Sequence, residues 1–406
     1  MKIWIINHYA TPPEQGTSTR HYALVKELEK YNHEITVIAA SVHHLLKNKH
    51  NKYSQELKAW QDSAVKFIFL STPEYQDNSI ERLWNMLCFA WQVIQLPRRI
   101  DYELPDIIIG SSVHPFAVWA AERIAAKYKL NFCFEVRDLW PQTLIDMKVI
   151  SKYHPLTIIL SKLEVYLYKK ASLIITLLPY AHEYISKLGI SASKIEYLPN
   201  GVDLDLFKDI SPPQDSKEHL TIMYLGAHGP ANGLDTLVEA AAELEENQAS
   251  KQVYWRLIGE GPEKEHLKVK IENLGLQSIK LENSVSKLKV PQVIQEADIL
   301  VFHLLNVEVF QYGISPNKLF DYLASQRPIV FGCAARNNPV AEAGAGITVS
   351  PEDPKAMAEA IRQLAELPLS QRIEMGKRGR DYVEQNHSYR YLGARLNSLL
   401  EKVLWC

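Results

Sequence analysis

Residues 313–330 read GISPNKLFDYLASQRPIV, and they put a cation where a helix disfavours one. Ser315 is the residue type whose hydroxyl caps the first free N–H groups of a helix. Pro316 suits the first helical position, where its missing N–H costs nothing. Such a start places Lys318 in the first turn, at the positive end of the helix dipole, where a cation costs roughly 0.3–1 kcal/mol. Leu319 with Leu323, and Phe320 with Ala324, supply the buried stripe. Lys318 and Asp321 are three apart and so share a face. Two chemistries fit. A surface Lys318–Asp321 ion pair explains the aspartate but not why the lysine sits at the anion-binding end. A phosphate held by the turn Ser315, Pro316, Asn317, Lys318 and Leu319 explains both, because the free N–H groups and the ammonium converge on it. Asp321, one turn on, would then accept hydrogen bonds from vicinal sugar hydroxyls.

Other short stretches carry chemistry-bearing residues at the ends of apolar runs. In PPEQGTSTRHYALV, Gly16 permits close backbone approach. The helix expected from Ser18 or Thr19 offers free N–H groups beside Thr17 and Arg20; an ordinary strand-to-helix loop reads the same way. In GSSVHPFAVWAA, His114 stands at a strand's carboxyl end with Pro115 opening a helix, a usual ligand position in open α/β sheets. In FEVRDLWPQ, Glu135, Arg137 and Asp138 crowd the next strand terminus, either as an internal ion-pair network or as an acceptor pocket able to take a proton. Trp140 with Pro141 offers an apolar platform for a sugar face or plain core. Asp203 and Asp205 invite a metal reading, which their place inside PNGVDLDLF argues against, and no metal or other cofactor is expected. GEGPEK, with Gly259 and Gly261, lacks the third glycine of a dinucleotide fingerprint and is placed against a nucleobase. GAGAGITV precedes a strand and reads as a turn.

The elements that must position these residues alternate. Strand-like runs (IWIINHY, EITVIAA, VKFIFL, DIIIGSS, LNFCFEV, SLIITLL, IEYLPN, then LTIMYLG, VYWRLIGEG, IKLEN, ADILVFHLL, PIVFGC, GITVS) are separated by helical patterns. Apolar strands buried on both faces and alternating with helices predict parallel sheets in an α/β fold. With 406 residues, two tandem Rossmann-like domains facing a central cleft are expected. The polar stretch KDISPPQDSKEHL places the boundary at 205/206, giving domains 1–205 and 206–387, with a terminal helix near 388–406. A net charge of −2 excludes the basic excess of a nucleic-acid binder. Cys88, Cys133, Cys333 and Cys406 form no CxxC pair, so a reduced, cytoplasmic setting is expected. The first strand begins at residue 2, which leaves no room for a signal peptide, and no apolar run is long enough to span a membrane. Residues 81–100, ERLWNMLCFAWQVIQLPRRI, place Leu83, Trp84, Leu87, Trp91 and Ile94 at helical spacing before Arg98 and Arg99. A core helix and a membrane-surface helix both look like this. The basic loop HHLLKNKHNKY, 43–53, could meet anionic lipid or a diphosphate.

The order of NHYATPPEQGTSTRHYALVKEL, FEVRDLWPQTL, PNGVDLDLF, YLGAHGPANGLDTLVEAA, LIGEGPEKEHL and SPNKLFDYLASQRPIV resembles the retaining glycosyltransferases of family 4, which have the two-domain GT-B fold. The resemblance runs nearly end to end. It is greatest to bacterial members that build O-antigen or capsule, including those that transfer N-acetylfucosamine. It implies a nucleotide diphosphate sugar donor, expected to be UDP-linked, and a lipid-diphosphate-linked or oligosaccharide acceptor at the cytoplasmic face of the inner membrane. Gly16, Thr17, Arg20, Gly226, Gly259, Gly261 and the turn at Lys318 would then bind the donor, His114 would hydrogen-bond the transferred sugar, and the terminal helix would return to the first domain. Two departures stand out. The family's usual pair of glutamates falls on Gly313 and Asp321, with Glu308 the nearest upstream carboxylate. The usual Arg and Lys after the first strand of the second domain read as His228 and Asn232, which leaves Lys318, and after it Arg20, to meet the diphosphate. Sugar-nucleotide epimerases share the fold, and the loss at Gly313 also fits a catalytically inactive binding module.

Overall fold

The computed structural model of the chain describes residues 1–16, 18–43, 45–46, 58–62, 65–75, 80–99, 103–112, 114–214, 219–246 and 252–405. Thr17 and most of the basic loop at 43–53 lie outside the described residues. The chain divides into two compact units, Met1–Pro199 with Tyr389–Cys406, and Asn200–Ser388. The boundary expected at 205/206 falls inside the second unit. The Val202 N–H donates to the His387 carbonyl at 2.9 Å, and Phe207 is part of that unit's core.

The first unit is built on an eight-stranded sheet in the order β3-β4-β2-β1-β5-β6-β7-β8. Its strands are β1 Lys2–Ile6, β2 Glu34–Ala40, β3 Lys58–Asp62, β4 Val65–Leu70, β5 Ile107–Ser112, β6 Asn131–Val136, β7 Leu173–Thr176 and β8 Ile195–Tyr197. All neighbours run parallel except β3, which pairs antiparallel with β4. The helices are α1 Arg20–Leu28, α2 Ile80–Gln95, α3 Pro115–Tyr128, α4 Gln142–Asp146, α5 Pro155–Lys170 and α6 Ala181–Lys187. Ile107, Ile108 and Ile109 are all buried, as they must be where helices cover both faces of a sheet. Chain order reverses between β1 and β5, so the carboxyl ends of those strands form the switch-point crevice where such folds place ligands.

The second unit has a six-stranded parallel sheet, β9 His219–Leu225, β10 Gln252–Ile258, β11 Ile279–Glu282, β12 Ile299–His303, β13 Ile329–Gly332 and β14 Gly346–Val349, in the order β11-β10-β9-β12-β13-β14. Its helices are α7 Asp235–Glu246, α8 Lys264–Leu274, α9 Val290–Ile294, α10 Asn317–Ala324, α11 Pro339–Ala343, α12 Pro354–Glu366 and α13 Leu369–Asn386. Here the switch point lies between β9 and β12. The last helix, α14 Tyr389–Trp405, belongs to the first unit, where Leu392, Leu396 and Leu400 pack with Ala23, Leu24 and Leu28 of α1. Every strand expected from the sequence is present. The addition is β3, whose sequence KAWQD has no apolar run to announce it.

Candidate functional site

In the second unit the loops after β9 and β10 close on each other. The Gly226 N–H donates to the Ile258 carbonyl at 2.9 Å, and the His228 N–H donates to the Glu260 carbonyl at 2.8 Å. The approach is so close that a Cβ at Gly259 would stand 1.9 Å from the Gly226 carbonyl oxygen, and one at Gly261 would stand 2.2 Å from that of His228. Only glycine permits this geometry. A Cβ at Gly226 would lie 2.8 Å from Cδ of Lys318, so the same backbone economy admits the lysine side chain.

Lys318 is the centre of this arrangement. Its ammonium donates to the Tyr224 hydroxyl at 2.7 Å and to the Asn232 side-chain oxygen, and it lies 4.4 Å from the Tyr224 ring centroid and 5.2 Å from that of Phe302. All these partners are neutral. Among the described residues no carboxylate forms an ion pair with Lys318. Burial without a counter-charge pulls its pKa down to about 7. Asn232 is itself held. Its amide donates to the Ala227 carbonyl at 3.0 Å, and its own carbonyl takes a hydrogen bond from His303 Nδ1 at 2.8 Å. His303 Nε2 accepts from the Glu352 N–H at 2.9 Å, which fixes the neutral tautomer. Beside Lys318, His228 is fully buried and neither ring nitrogen has a partner. Burial, then Lys264, lowers its pKa to about 4, so it is neutral.

The start of α10 departs from expectation. Ser315 is not the cap: its hydroxyl accepts from the Asn200 N–H at 2.8 Å, and Pro316 takes the cap position with no side-chain hydrogen bond. The first N–H groups of α10 are therefore uncapped, and the Asn317 side-chain oxygen is buried without a partner. Leu319 goes into the core. Asp321 does not accompany Lys318. Its carboxylate is buried and takes both bonds from Lys287, at 2.6 Å each. Burial pushes the Asp321 pKa up, against the opposing pull of Lys287. Asp321, expected to bind sugar hydroxyls, is held by Lys287, and the Lys318–Asp321 surface pair is absent. Gly313 follows a 3-10 turn at φ +99°, and Glu308 opens that turn exposed. Asp203 accepts from the Asp205 N–H at 3.1 Å as the cap of another short turn.

In the first unit the carboxyl ends of β1, β5 and β6 are tied by one polar chain. The Asn7 amide donates to Ser111 Oγ at 2.8 Å, Ser111 Oγ donates to Glu135 at 2.5 Å, His21 Nε2 donates to Glu135 at 2.8 Å and Arg20 Nε donates to Glu135 at 3.0 Å. Arg20 also donates to the Leu198 carbonyl at 3.0 Å and to that of Pro199. Burial disfavours the Glu135 carboxylate, but Arg20 and His21 outweigh it and hold the pKa well below the usual range. His21 is itself pulled down by burial, against the opposing pull of Glu135. Arg20, expected as a second phosphate ligand, and Glu135, expected in an ion-pair network or an acceptor pocket, are joined to each other in this network. Arg137 is half-buried, with its N–H on Ser112 Oγ at 3.0 Å, and Asp138 is exposed. Gly16 is needed for packing: a Cβ there would meet the Leu45 carbonyl oxygen at 2.5 Å.

His114 caps α3, its Nδ1 accepting from the Ala117 N–H at 3.4 Å. Burial, then Arg82, lowers its pKa to about 3, so the ring is neutral and its proton is on Nε2. That N–H is buried without a partner. The His8 and Tyr9 rings lie 4.9 and 6.0 Å from the His114 ring, and His43 packs 5.3 Å from Tyr9. Sequence reasoning did not single out His8, Tyr9, His21, His43, Tyr224, Lys287 or His303. For the first two the signal was present, since they follow β1 directly at the switch point.

A family model described as Glycosyltransferase Family 4 matches residues 15–206, and one described as Glycosyl transferases group 1 matches residues 219–366. Sucrose-phosphate synthase from Thermosynechococcus elongatus is similar in structure at a TM-score of 0.78 and 15% identity, over 99% of this chain and 98% of that one. The E. coli trehalose-6-phosphate protein bound with UDP-2-fluoro glucose has a TM-score of 0.72 at 14% identity, over 100% of this chain and 99% of its own. Anabaena HepE in complex with UDP and glucose has a TM-score of 0.68 at 14% identity, over 99% of both chains. No curated protein matches the chain. At such identities the structural likeness concerns the fold. With one family model on each of its two sheets, the chain belongs to the family 4 glycosyltransferases and has the GT-B fold.

Proposed function

We propose that the chain moves a sugar from a nucleotide diphosphate sugar, UDP-linked, to a hydroxyl of a lipid-linked or oligosaccharide acceptor, with retention of configuration, in the synthesis of a bacterial surface polysaccharide. The observation that carries this reading is the Lys318 ammonium, desolvated among neutral groups and next to an uncapped helix start. A buried cation without a carboxylate is costly unless an anion arrives. A diphosphate supplies that charge, and the free N–H groups of α10 add to the hold. Neutral His228, with both ring nitrogens unpartnered, offers a further donor to the same oxygens. The UDP in two of the similar structures supports the choice of nucleotide.

In the reaction the bond between the anomeric carbon and the diphosphate oxygen breaks, and the acceptor oxygen bonds to the same face of that carbon. The acceptor proton passes to the departing phosphate oxygen. Lys318 stabilises the charge that develops there, and catalysis is largely electrostatic and positional. His114 Nε2–H is assigned to a hydroxyl of the transferred sugar. Positive charge comes from the side chain, so turnover is expected without a divalent ion. The test is a donor screen reading nucleoside diphosphate release, with and without a chelator. Release from UDP-sugars that persists in chelator is the expected result. An isomerised sugar would identify an epimerase, no reaction with any donor would identify an inactive module, and loss in chelator restored by magnesium would overturn the metal-free reading.

A further inference from the structure

The first unit carries an exposed face that the donor chemistry does not use. Helices α2, α3 and α5 lie side by side on one side of its sheet, α3 packing against both others. Helix α2 turns Asn85, Met86, Phe89, Ala90 and Val93 inward. Its outer side shows Ile80, Trp84, Leu87 and Trp91, with the two tryptophans 59% and 61% exposed. The spacing of four, three and four residues makes one stripe along the helix. On the far side of α3, the segment leading into α5 and its first turn expose Val149, Tyr153, Ile158 and Ile159.

The charge on this face is mostly basic, although α2 carries one exposed carboxylate, Glu81, beside its apolar stripe. Between residues 148 and 170, Lys148, Lys152, Lys162, Lys169 and Lys170 are all exposed. The one carboxylate within that stretch, Glu164, is buried and accepts from Tyr168 and Tyr184 at 3.0 Å each. Lys127 and Lys129 at the end of α3, and Arg98 and Arg99 beyond α2, are also exposed. The whole chain has a formal charge of −2, so this basic excess is local and not a matter of composition.

We infer that this face rests on the surface of an anionic phospholipid bilayer. Tryptophan and tyrosine prefer the headgroup level, where an apolar body and a polar edge are both satisfied. Lysine stems lie along apolar surface while their ammonium groups reach the phosphates. Lys152 and Tyr153 lie together on this face, with the ammonium 5.0 Å from the ring centroid. A protein partner fits less well, because the cores of protein interfaces are depleted in lysine. The contact is peripheral, since no helix among the described residues is long and apolar enough to cross a membrane. The inference stands on this surface alone and deepens the acceptor half of the proposed function, because a lipid-linked acceptor is presented at such a surface.

The test is co-sedimentation of the full chain with vesicles of phosphatidylcholine alone and of phosphatidylcholine mixed with phosphatidylglycerol. Binding to the mixed vesicles only, weakening with salt as charge is screened over about 8 Å, is expected. Trp84→Ser with Trp91→Ser, and Tyr153→Ser with Ile159→Ser, should each release the protein. Lys148→Gln, Lys152→Gln and Lys162→Gln should each weaken binding by about five-fold. UDP binding and the melting temperature, read on the same variants, should not move; if the serine variants melt lower, the glutamine series decides. Wild-type protein that stays in the supernatant, or variants that sediment as well as wild type, would overturn the inference. So would a wild-type dimer that the serine changes convert to monomer, since the face would then be covered by a second copy of the chain. Each of these outcomes is separate from nucleoside diphosphate release, which tests the donor reading.

Discussion

Lys287 Nζ lies 2.6 Å from each oxygen of the Asp321 carboxylate, with Asp321 buried in the helix that carries Lys318 and Lys287 partly buried. In the proposed function this pair divides the two charged residues of α10 between two tasks, one holding the helix and one left for an anion. Asp321→Asn should therefore act on stability. Removing one partner of a buried pair leaves an uncompensated charge, worth about 3 kcal/mol in denaturant unfolding. The paired change Lys287→Met with Asp321→Leu should recover most of the loss. An Asp321→Asn protein that unfolds like wild type yet fails to bind UDP would restore the hydroxyl-binding role.

The Arg20–Glu135 pair predicts a similar split in the first unit. Glu135→Gln should lower stability by about 3 kcal/mol at neutral pH, because buried Arg20 loses its counter-charge. The folded-state pKa of Glu135 is depressed, so the stability it contributes is fully present above the unfolded value and is lost as pH falls through the folded one. Acid unfolding of the glutamine variant should therefore show a shallower pH dependence below pH 4.5, the ordinary glutamate value. Normal stability in Arg20→Met, with lost UDP affinity, would return Arg20 to the donor site.

Strands were legible because their apolar residues are buried on both faces, which leaves an unbroken signal. The edge strand β3 was not, being short, polar and antiparallel. The place of Lys318 in the first turn of a helix was legible from local helix rules alone. The cap at Ser315 was not, because its hydroxyl is claimed by Asn200, 115 residues away in sequence. The ion pair of Asp321 was hidden for the same reason: its partner lies 34 residues earlier and no local spacing points to it. Periodicity could not settle α2, since that helix is apolar on its buried and its exposed sides alike.

Lys318 gives a pH dependence with a definite sign. Its folded pKa of about 7 lies below the ordinary 10.5, so the unfolded chain binds more protons between those values. Stability without nucleotide should then rise with pH across that window. A bound diphosphate favours the ammonium, so UDP binding above pH 7 should take up a proton and weaken by up to about tenfold per pH unit. Calorimetry in buffers of different ionisation enthalpy measures the uptake. Lys318→Met should abolish both slopes, and a wild-type affinity flat from pH 7 to 9 would contradict the assignment.

The most direct test of the diphosphate role is release of nucleoside diphosphate by Lys318→Met, read together with its melting temperature. The methionine keeps most of the shape and removes the charge. Turnover should fall about 100- to 1000-fold, as for the loss of one electrostatic contact to a developing anion. The melting temperature should hold or rise, because a buried cation has left the positive end of a helix. A variant that melts lower and turns over normally would show that Lys318 serves the fold and that the diphosphate lies elsewhere.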